Sequence, residues 1–150
     1  MFVHTLPQLV QDHGQKIAAD AFDRLAHESG IVWLTGHEVR RDELLGWFEG
    51  IVAGVERWPG IALDDAEETK HREFGAMCRR RCIRLHELVR ALHVLKQRIV
   101  DFARSRGLAR NSLEIYVEEE LENRVSFYFD WLVYQIVIGY EADDGLTRRA

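Results

Sequence analysis

Apolar residues recur along most of this chain at spacings of three and four, and this repeat limits what the chain can fold into. It is clearest in one run: Leu85, Leu88, Leu92, Leu95, Ile99 and Phe102. Alternating spacings of three and four place side chains along one face of an α-helix, and such a face must be covered by neighbouring helices. The sequence therefore predicts an all-α fold in which helices pack as a bundle.

Chain breakers divide the 150 residues into about five helices, which we expect to form a single domain, 1–150. The predicted helices cover residues 6–28, 44–55, 64 to about 82, 85–107 and 111 to 139 or 140. The apolar residues 31–34 are expected to form a strand or an irregular plug. Two successive spacings of three, from Cys82 to Leu85 and from Leu85 to Leu88, predict a kink or short break near Cys82 and Ile83. Apart from this break, we expect the third and fourth helices to be nearly continuous.

Charge is segregated between the last two predicted helices. Residues 76–110 hold ten basic and two acidic residues, whereas residues 111–144 hold nine acidic and one basic residue. These segments attract each other and are joined by a short turn, so we predict that they form a C-terminal antiparallel hairpin.

Composition and charge make several classes of partner improbable. The formal net charge is −5, so the molecule should repel phosphate backbones, and we expect no nucleic acid partner. The most apolar window, residues 125–140, is shorter than the roughly 20 residues of a membrane span, and we expect no membrane partner. Cys78 and Cys82 lie four apart in a predicted helix without disulfide geometry, which indicates a reducing compartment. Without a signal peptide in the first residues, the expected location is cytoplasmic.

No complete catalytic signature occurs in the sequence. A Gly-rich phosphate loop, a Gly-x-Ser-x-Gly elbow and a His-Glu-x-x-His pair are all missing. The acidic pairs and triplets are typical of solvated helix faces rather than of paired catalytic carboxylates. We therefore expect that the protein is not an enzyme.

Histidines and cysteines form a stripe on the third and fourth predicted helices. Its members are His71, Cys78, Cys82, His86 and His93. Their spacings place all five in one arc if the helix is unbroken, and thiolates and imidazoles can bind zinc or haem iron. One straight helix cannot surround an ion, so buried core is the preferred interpretation, with no metal and no cofactor. A haem- or metal-binding sensor is the alternative, and the candidate ligand pocket consists of His86, His93, Cys82 and Asp130.

Two histidines lie in segments that are similar to phosphorylated motifs. Arg84-Leu85-His86-Glu87-Leu88 resembles the phosphoacceptor box of sensor histidine kinases, but only locally, and we expect His86 to be a partly buried bundle residue. His93-Val94-Leu95-Lys96-Gln97 resembles the His-x-Leu-Lys-Gly core of histidine phosphotransfer domains, with Gln97 where that family has glycine. Phosphotransfer with His93 as phosphoacceptor is therefore a second alternative function.

The last predicted helix is apolar on nearly every side. Phe127, Trp131, Tyr134 and Ile138 form one stripe, and Tyr128, Leu132 and Gln135 form another. A helix of this kind needs cover on two sides, and aromatic residues are enriched in protein interfaces. We predict that one side is core and the other a homodimer or partner interface. The predicted interface residues are Phe127, Tyr128, Trp131, Tyr134 and Ile138. A small-molecule pocket under Trp131 and Tyr134, with Asp130 as its polar contact, is one alternative, and a fully internal core is the other.

The order of these features resembles the helical N-terminal sensory domain of RsbT co-antagonist proteins, which is also found ahead of sensor histidine kinases. The resemblance rests on residues 44–55, on Arg79-Arg80-Arg81 through Leu92, and on residues 95–98. It implies a globin-like helical fold that need not hold haem. It also implies a regulatory input module of a bacterial signalling protein, with a downstream output domain as partner.

The chain ends at Ala150 with no output domain, so we expect a fragment of a longer signalling protein or a stand-alone version. The mechanism that we expect is a shift of the last helix that changes the state of whatever follows it.

Overall fold

The computed structural model describes residues 6–27, 41–106 and 112–149, with side chains at 13–27, 42–102, 104 and 122–142. These residues form five α-helices, and no strand occurs among them. The helices are α1 (Leu6–Ala26), α2 (Arg41–Gly54), α3 (Asp65–Arg80), α4 (Leu85–Arg106) and α5 (Ser112–Arg149). Two short 3-10 helices, η1 (Val55–Arg57) and η2 (Gly60–Leu63), connect α2 to α3. The predicted all-α fold is confirmed, whereas the apolar link at 31–34 lies outside the described residues.

Helix α3 begins where the sequence placed the start of the third helix. The Asp64 carboxylate accepts hydrogen bonds from the backbone N–H groups of Ala66 (3.0 Å) and Glu67 (3.4 Å). These bonds satisfy two of the four backbone donors that a helix leaves open at its amino end. The acids of the first turn add a favourable interaction with the helix dipole.

Between α3 and α4 the backbone forms a Schellman turn. The N–H of Ile83 donates to the carbonyl of Cys78 (3.0 Å), and the N–H of Cys82 donates to that of Arg79 (3.1 Å). Cys82 has φ 60°, in the left-handed region where glycine is usual. The predicted break at Cys82 is confirmed, but the expectation of nearly continuous helices is wrong because this turn ends α3 completely.

The helices form a closed ring around the core. Helix α1 packs against α2 and α4, α4 packs against α5, and α5 packs against α3. The ring closes where Trp47 of α2 stacks on Phe74 of α3, with ring centroids 3.7 Å apart. The predicted α4 seam lies in this core, with four residues fully buried and two partly buried at its ends. The fully buried residues are Leu88, Leu92, Leu95 and Ile99.

Helices α4 and α5 form the predicted antiparallel hairpin. Arg104 near the end of α4 forms an ion pair with Glu122 in the early part of α5. At the other end of the hairpin, the Tyr140 hydroxyl donates to the carbonyl of Ile83, just before α4 begins (2.7 Å). Contacts at both ends fix the direction of the pair.

Helices α3 and α5 run in the same direction and cross at backbone contact through two glycines. A Cβ on Gly75 would lie 2.0 Å from the Ile136 carbonyl oxygen, and a Cβ on Gly139 would lie 1.9 Å from the Arg72 carbonyl oxygen. The predicted end of helix five near Gly139 is wrong, because α5 continues to Arg149. Gly139 serves close packing and does not terminate the helix.

Within the described part of the chain, no helix combines the length and the apolar character needed to cross a membrane.

Candidate functional site

A buried histidine lies between α3 and α5, inside a group of aromatic and charged residues. We call this group the His71 cluster. It consists of His71, Glu67, Arg57, Trp58 and Trp131. His71 is only 2% exposed. Its ring meets the Trp131 ring edge to face, with ring centroids 5.6 Å apart and an interplanar angle of 89°. Trp58 also packs against Trp131, with ring centroids 6.2 Å apart.

Neither ring nitrogen of His71 has a hydrogen-bond partner among the described residues. A carboxylate oxygen, Oε2 of Glu67, lies 3.6 Å from Nε2, which is too far for a hydrogen bond. The other oxygen of Glu67 is held by Arg57 at 3.1 Å. A buried polar group without a partner costs stability, so its presence here calls for an explanation.

Burial lowers the pKa of His71 to about 4. Removal of the ring from water is the largest cause; the Glu67 carboxylate opposes it, and the nearby charges of Lys70 and Arg57 reinforce it. The imidazole is therefore neutral at pH 7, and its contact with Glu67 is not an ion pair at that pH.

Polar side chains of α5 attach this helix to the end of α2. The guanidinium of Arg124 donates to the carbonyl oxygens of Val55 (3.1 Å), Glu56 (2.8 Å) and Trp58. One turn further along α5, the Tyr128 hydroxyl donates to the carbonyl of Ile51 (2.8 Å). These bonds join α5 to carbonyls at the end of α2 and around η1, and the Val55 carbonyl also accepts from the backbone N–H of Trp58 (3.4 Å).

The opposite side of α5 presents aromatic residues to solvent. Phe127 and Tyr134 lie two turns apart on one face and are 61% and 64% exposed. Ile138, one turn beyond Tyr134, is half-buried on the same side. We call these three residues the α5 stripe. Exposed aromatic residues grouped on one helix face are typical of interaction surfaces.

Three of the five predicted interface residues belong to this stripe, and the other two do not. Tyr128 is fully buried in the chain and bonded to Ile51, so its assignment to an interface is wrong. Burial also raises the pKa of its phenol. Trp131 is half-buried and packs against Trp58 and His71, which makes it part of the His71 cluster. For Phe127, Tyr134 and Ile138 the interface stays a prediction.

The residues of the predicted ligand pocket are all exposed. They are Cys82, His86, His93 and Asp130. The expectation that His86 is partly buried is therefore wrong. The turn at Cys82 interrupts the histidine and cysteine stripe, leaving His71 and Cys78 in the interior. Among the described residues, no three His, Cys, Asp or Glu residues are grouped so that they could hold a metal ion.

The two cysteines have opposite environments and are both free thiols. Cys78 is buried, and burial raises the pKa of its thiol to about 12. Its expected place in the core is confirmed, whereas that of Cys82 is wrong because the residue sits on the turn, in solvent.

No family model, no curated protein and no solved structure matches this chain. The resemblance to the sensory domain of RsbT co-antagonists, with its globin-like fold and its output domain, therefore stays a prediction.

Neither the His71 cluster nor the role of Arg124 was predicted from the sequence. Two signals were present. Glu67, His71, Gly75 and Cys78 repeat at spacings of four, four and three on one helix face, which places His71 in line with a buried cysteine. Arg124 is the one basic residue of an otherwise acidic segment, 111–144.

Proposed function

We propose that this chain is a non-catalytic sensory or regulatory input module of a signalling protein, and that it pairs with a second copy through α5. The observation that carries the proposal is the two-sided character of α5. One side is core, and the other exposes Phe127 and Tyr134 to solvent. A helix built in this way can couple a change inside the bundle to a surface that a partner contacts.

The proposed mechanism is a displacement of α5 relative to the rest of the bundle. This helix contacts α3, α4 and η1, and its side chains bond carbonyls at the ends of neighbouring helices. Such bonds have narrow geometric limits, so they favour discrete positions of α5 over continuous sliding. A signal acts by favouring one position, and the α5 stripe moves with the helix.

The association can be tested with charged substitutions in the stripe. We expect sedimentation velocity to show a dimer for the wild type between micromolar and millimolar concentration. The double variant Phe127→Glu/Tyr134→Glu should be monomeric, because four carboxylates would meet across the two-fold axis of a dimer. Trp131→Glu is unsuitable, since Trp131 packs inside the His71 cluster.

Leu63→Glu is the matched control. Leu63 is an apolar residue on η2 that is 88% exposed, so the same change there adds charge without touching α5. Circular dichroism checks that all variants keep their helices. A monomeric wild type at every concentration, or a double variant that dimerises as well as the control, would refute the proposed interface.

Histidine phosphotransfer is the second candidate, and one observation favours it: His93 is exposed on α4 between the buried residues Leu92 and Val94. A phosphoacceptor must be accessible in this way. Mixing the protein with a phosphorylated receiver domain should then give acid-labile phosphate on the wild type and none on His93→Gln. His86→Gln, a change at another exposed α4 histidine, is the control.

A haem- or metal-binding sensor gains no support from the described contacts of its candidate ligands. Haem iron is held by ligands inside a shaped pocket, whereas His86, His93 and Cys82 face solvent. A visible absorption spectrum of the purified protein, reduced and oxidised, tests this alternative directly.

A further inference from the structure

His71 occupies an unusual position for a histidine. It is buried against α5, it lies one turn before the glycine crossing at Gly75, and both of its ring nitrogens lack partners among the described residues. Its contact with Trp131 is the only ring contact that joins it to α5 in the described part of the chain. A change at His71 therefore reaches α5 through Trp131.

The surroundings of His71 contain one nearby anion. On its own helix it faces Glu67 and Lys70, and from η1 it faces Arg57. From α5 it meets Trp131, while the Tyr128 hydroxyl nearby is bonded to the Ile51 carbonyl. Among the described residues, Glu67 is thus the one carboxylate within 4 Å of the ring, and Arg57 already holds its other oxygen.

We propose that His71 is a proton-driven switch between two positions of α5. In the neutral state the ring packs edge to face with Trp131, as the structure shows. When a proton from solvent binds to the ring, the imidazolium turns toward Glu67 and forms the hydrogen bond that is missing at 3.6 Å. Arg57, which holds Oε1, then shares the carboxylate with His71, and Trp131 loses its edge-to-face contact with the imidazole ring.

The two states exclude each other for a physical reason. An imidazolium left unpaired in the interior is far costlier than a neutral ring, so protonation requires either a partner or solvent. Nε2 must move toward Oε2 of Glu67 by just under 1 Å, roughly, to reach an ordinary N–H···O distance. Helix α5 cannot fill the space left beside Trp131 by moving closer, because the crossing at Gly75 and Gly139 is already at backbone contact. It must rotate or shift instead.

The equilibrium between the two positions follows the pH. In the pH range where the ring binds a proton only in the second position of α5, the one with His71 turned toward Glu67, each pH unit of acidification raises the ratio of the second position to the first by up to about tenfold. The inference rests on the proposed function in one respect, namely that a displaced α5 is what carries a signal.

Nuclear magnetic resonance of the intact chain tests the proposal. The ring signals of the seven histidines and the indole N–H signals of the four tryptophans are followed from pH 7 down to about pH 3. His71→Leu assigns the His71 signal, and Trp131→Phe assigns the Trp131 indole. We expect the Trp131 signal to move with the same midpoint as His71 while far-ultraviolet circular dichroism stays constant. In His71→Leu the Trp131 signal should stay still.

Two further variants sharpen the result. Glu67→Gln keeps the shape of the acceptor but removes its charge, so the His71 midpoint should fall and the Trp131 shift should shrink; this variant also serves if His71→Leu does not fold. His93→Gln, at an exposed histidine, should leave the Trp131 shift unchanged.

A Trp131 signal that stays still while His71 titrates would overturn the proposal. So would an acid transition in which helical signal and all resonances are lost together, because that is unfolding. The titration detects a change within a single chain and does not depend on association. A negative result would therefore refute the switch and leave the α5 interface to be tested separately. A monomeric wild type would likewise leave the switch intact.

Discussion

At the residue scale, His71 makes the stability of this protein depend on pH. The folded state lowers the pKa of this ring from 6.5 to about 4, so between these values the unfolded chain binds the proton and the folded chain does not. Stability from the neutral ring is therefore complete above about pH 6.5 and is lost as the pH falls toward 4.

We predict that replacing His71 by leucine removes this dependence. In the wild type, the contribution of His71 to the free energy of unfolding should fall below pH 6.5 by up to about 1.4 kcal/mol per pH unit. Between pH 6.5 and pH 4 the total loss should be about 3 kcal/mol. In His71→Leu the curve should be flatter, and at pH 7 the variant should be at least as stable, because no unpaired polar group is buried. Urea titrations at a series of pH values measure both effects.

His93→Gln is the control, since it removes an exposed histidine and leaves the buried His71 in place. Parallel curves for the wild type and His71→Leu would contradict the burial of a neutral ring at this position.

At the element scale, the pair of helices α3 and α5 depends on two glycines that have no room for a side chain. We predict that Gly75→Ala and Gly139→Ala each lower the free energy of unfolding by about 2 kcal/mol or more, because the added methyl group would meet backbone atoms of the other helix. Alanine favours helix by about 1 kcal/mol over glycine, so the loss occurs despite better propensity. Chemical denaturation provides the measurement.

Gly46→Ala on α2 is the matched control. Beyond its chain neighbours and its own helix backbone, no atom of the described residues lies within 4 Å of the position that its Cβ would take, so this variant should gain up to about 1 kcal/mol. A loss at Gly46 equal to those at Gly75 and Gly139 would show that the crossing is not the cause.

The turn between α3 and α4 carries a strained residue. Cys82 has φ 60°, which costs an L-residue roughly 1 kcal/mol relative to glycine. We predict that Cys82→Gly raises the free energy of unfolding by about 1 kcal/mol, whereas Cys82→Ala, which keeps the Cβ atom, does not. Thermal and urea unfolding would measure the difference, and equal stabilities for the two variants would argue against the left-handed turn.

At the scale of the whole molecule, the closed ring of helices protects one thiol and leaves the other accessible. Cys78 lies in the core with a thiol pKa of about 12, and Cys82 is exposed on a turn. Since the thiolate is the reactive form, burial slows the reaction of Cys78 twice, by excluding the reagent and by keeping the thiol protonated.

We predict that an aromatic disulfide reagent labels one thiol of the native protein quickly and the second only when the bundle opens. Cys82→Ser should abolish the fast phase, and Cys78→Ser should retain it. The slow rate should fall in variants that stabilise the fold. Two fast thiols in the native protein would be incompatible with the packing of α3 in the ring.

Helix positions and core faces could be predicted from the sequence because they depend on local patterns. The α4 seam from Leu88 to Ile99 is buried as its spacing requires, and Asp64 caps α3 as a side chain of its type does before a helix. The charge difference between α4 and α5 also predicted their antiparallel pairing. In each case the responsible residues are near one another in sequence or belong to one repeat.

Only the tertiary structure decided how closely the helices approach and which polar groups are left inside. Gly139 has the sequence character of a helix end, but the α3 backbone lies against it and the helix continues. Tyr128 and Tyr134 are similar residues on one helix, yet one is buried and the other exposed, because η1 and α2 cover one side of α5 only. His71 is buried, with no hydrogen-bond partner among the described residues, because α5 crosses above it. A periodic pattern shows which face of a helix is apolar, whereas the distance to the helix that covers it is set by residues distant in sequence.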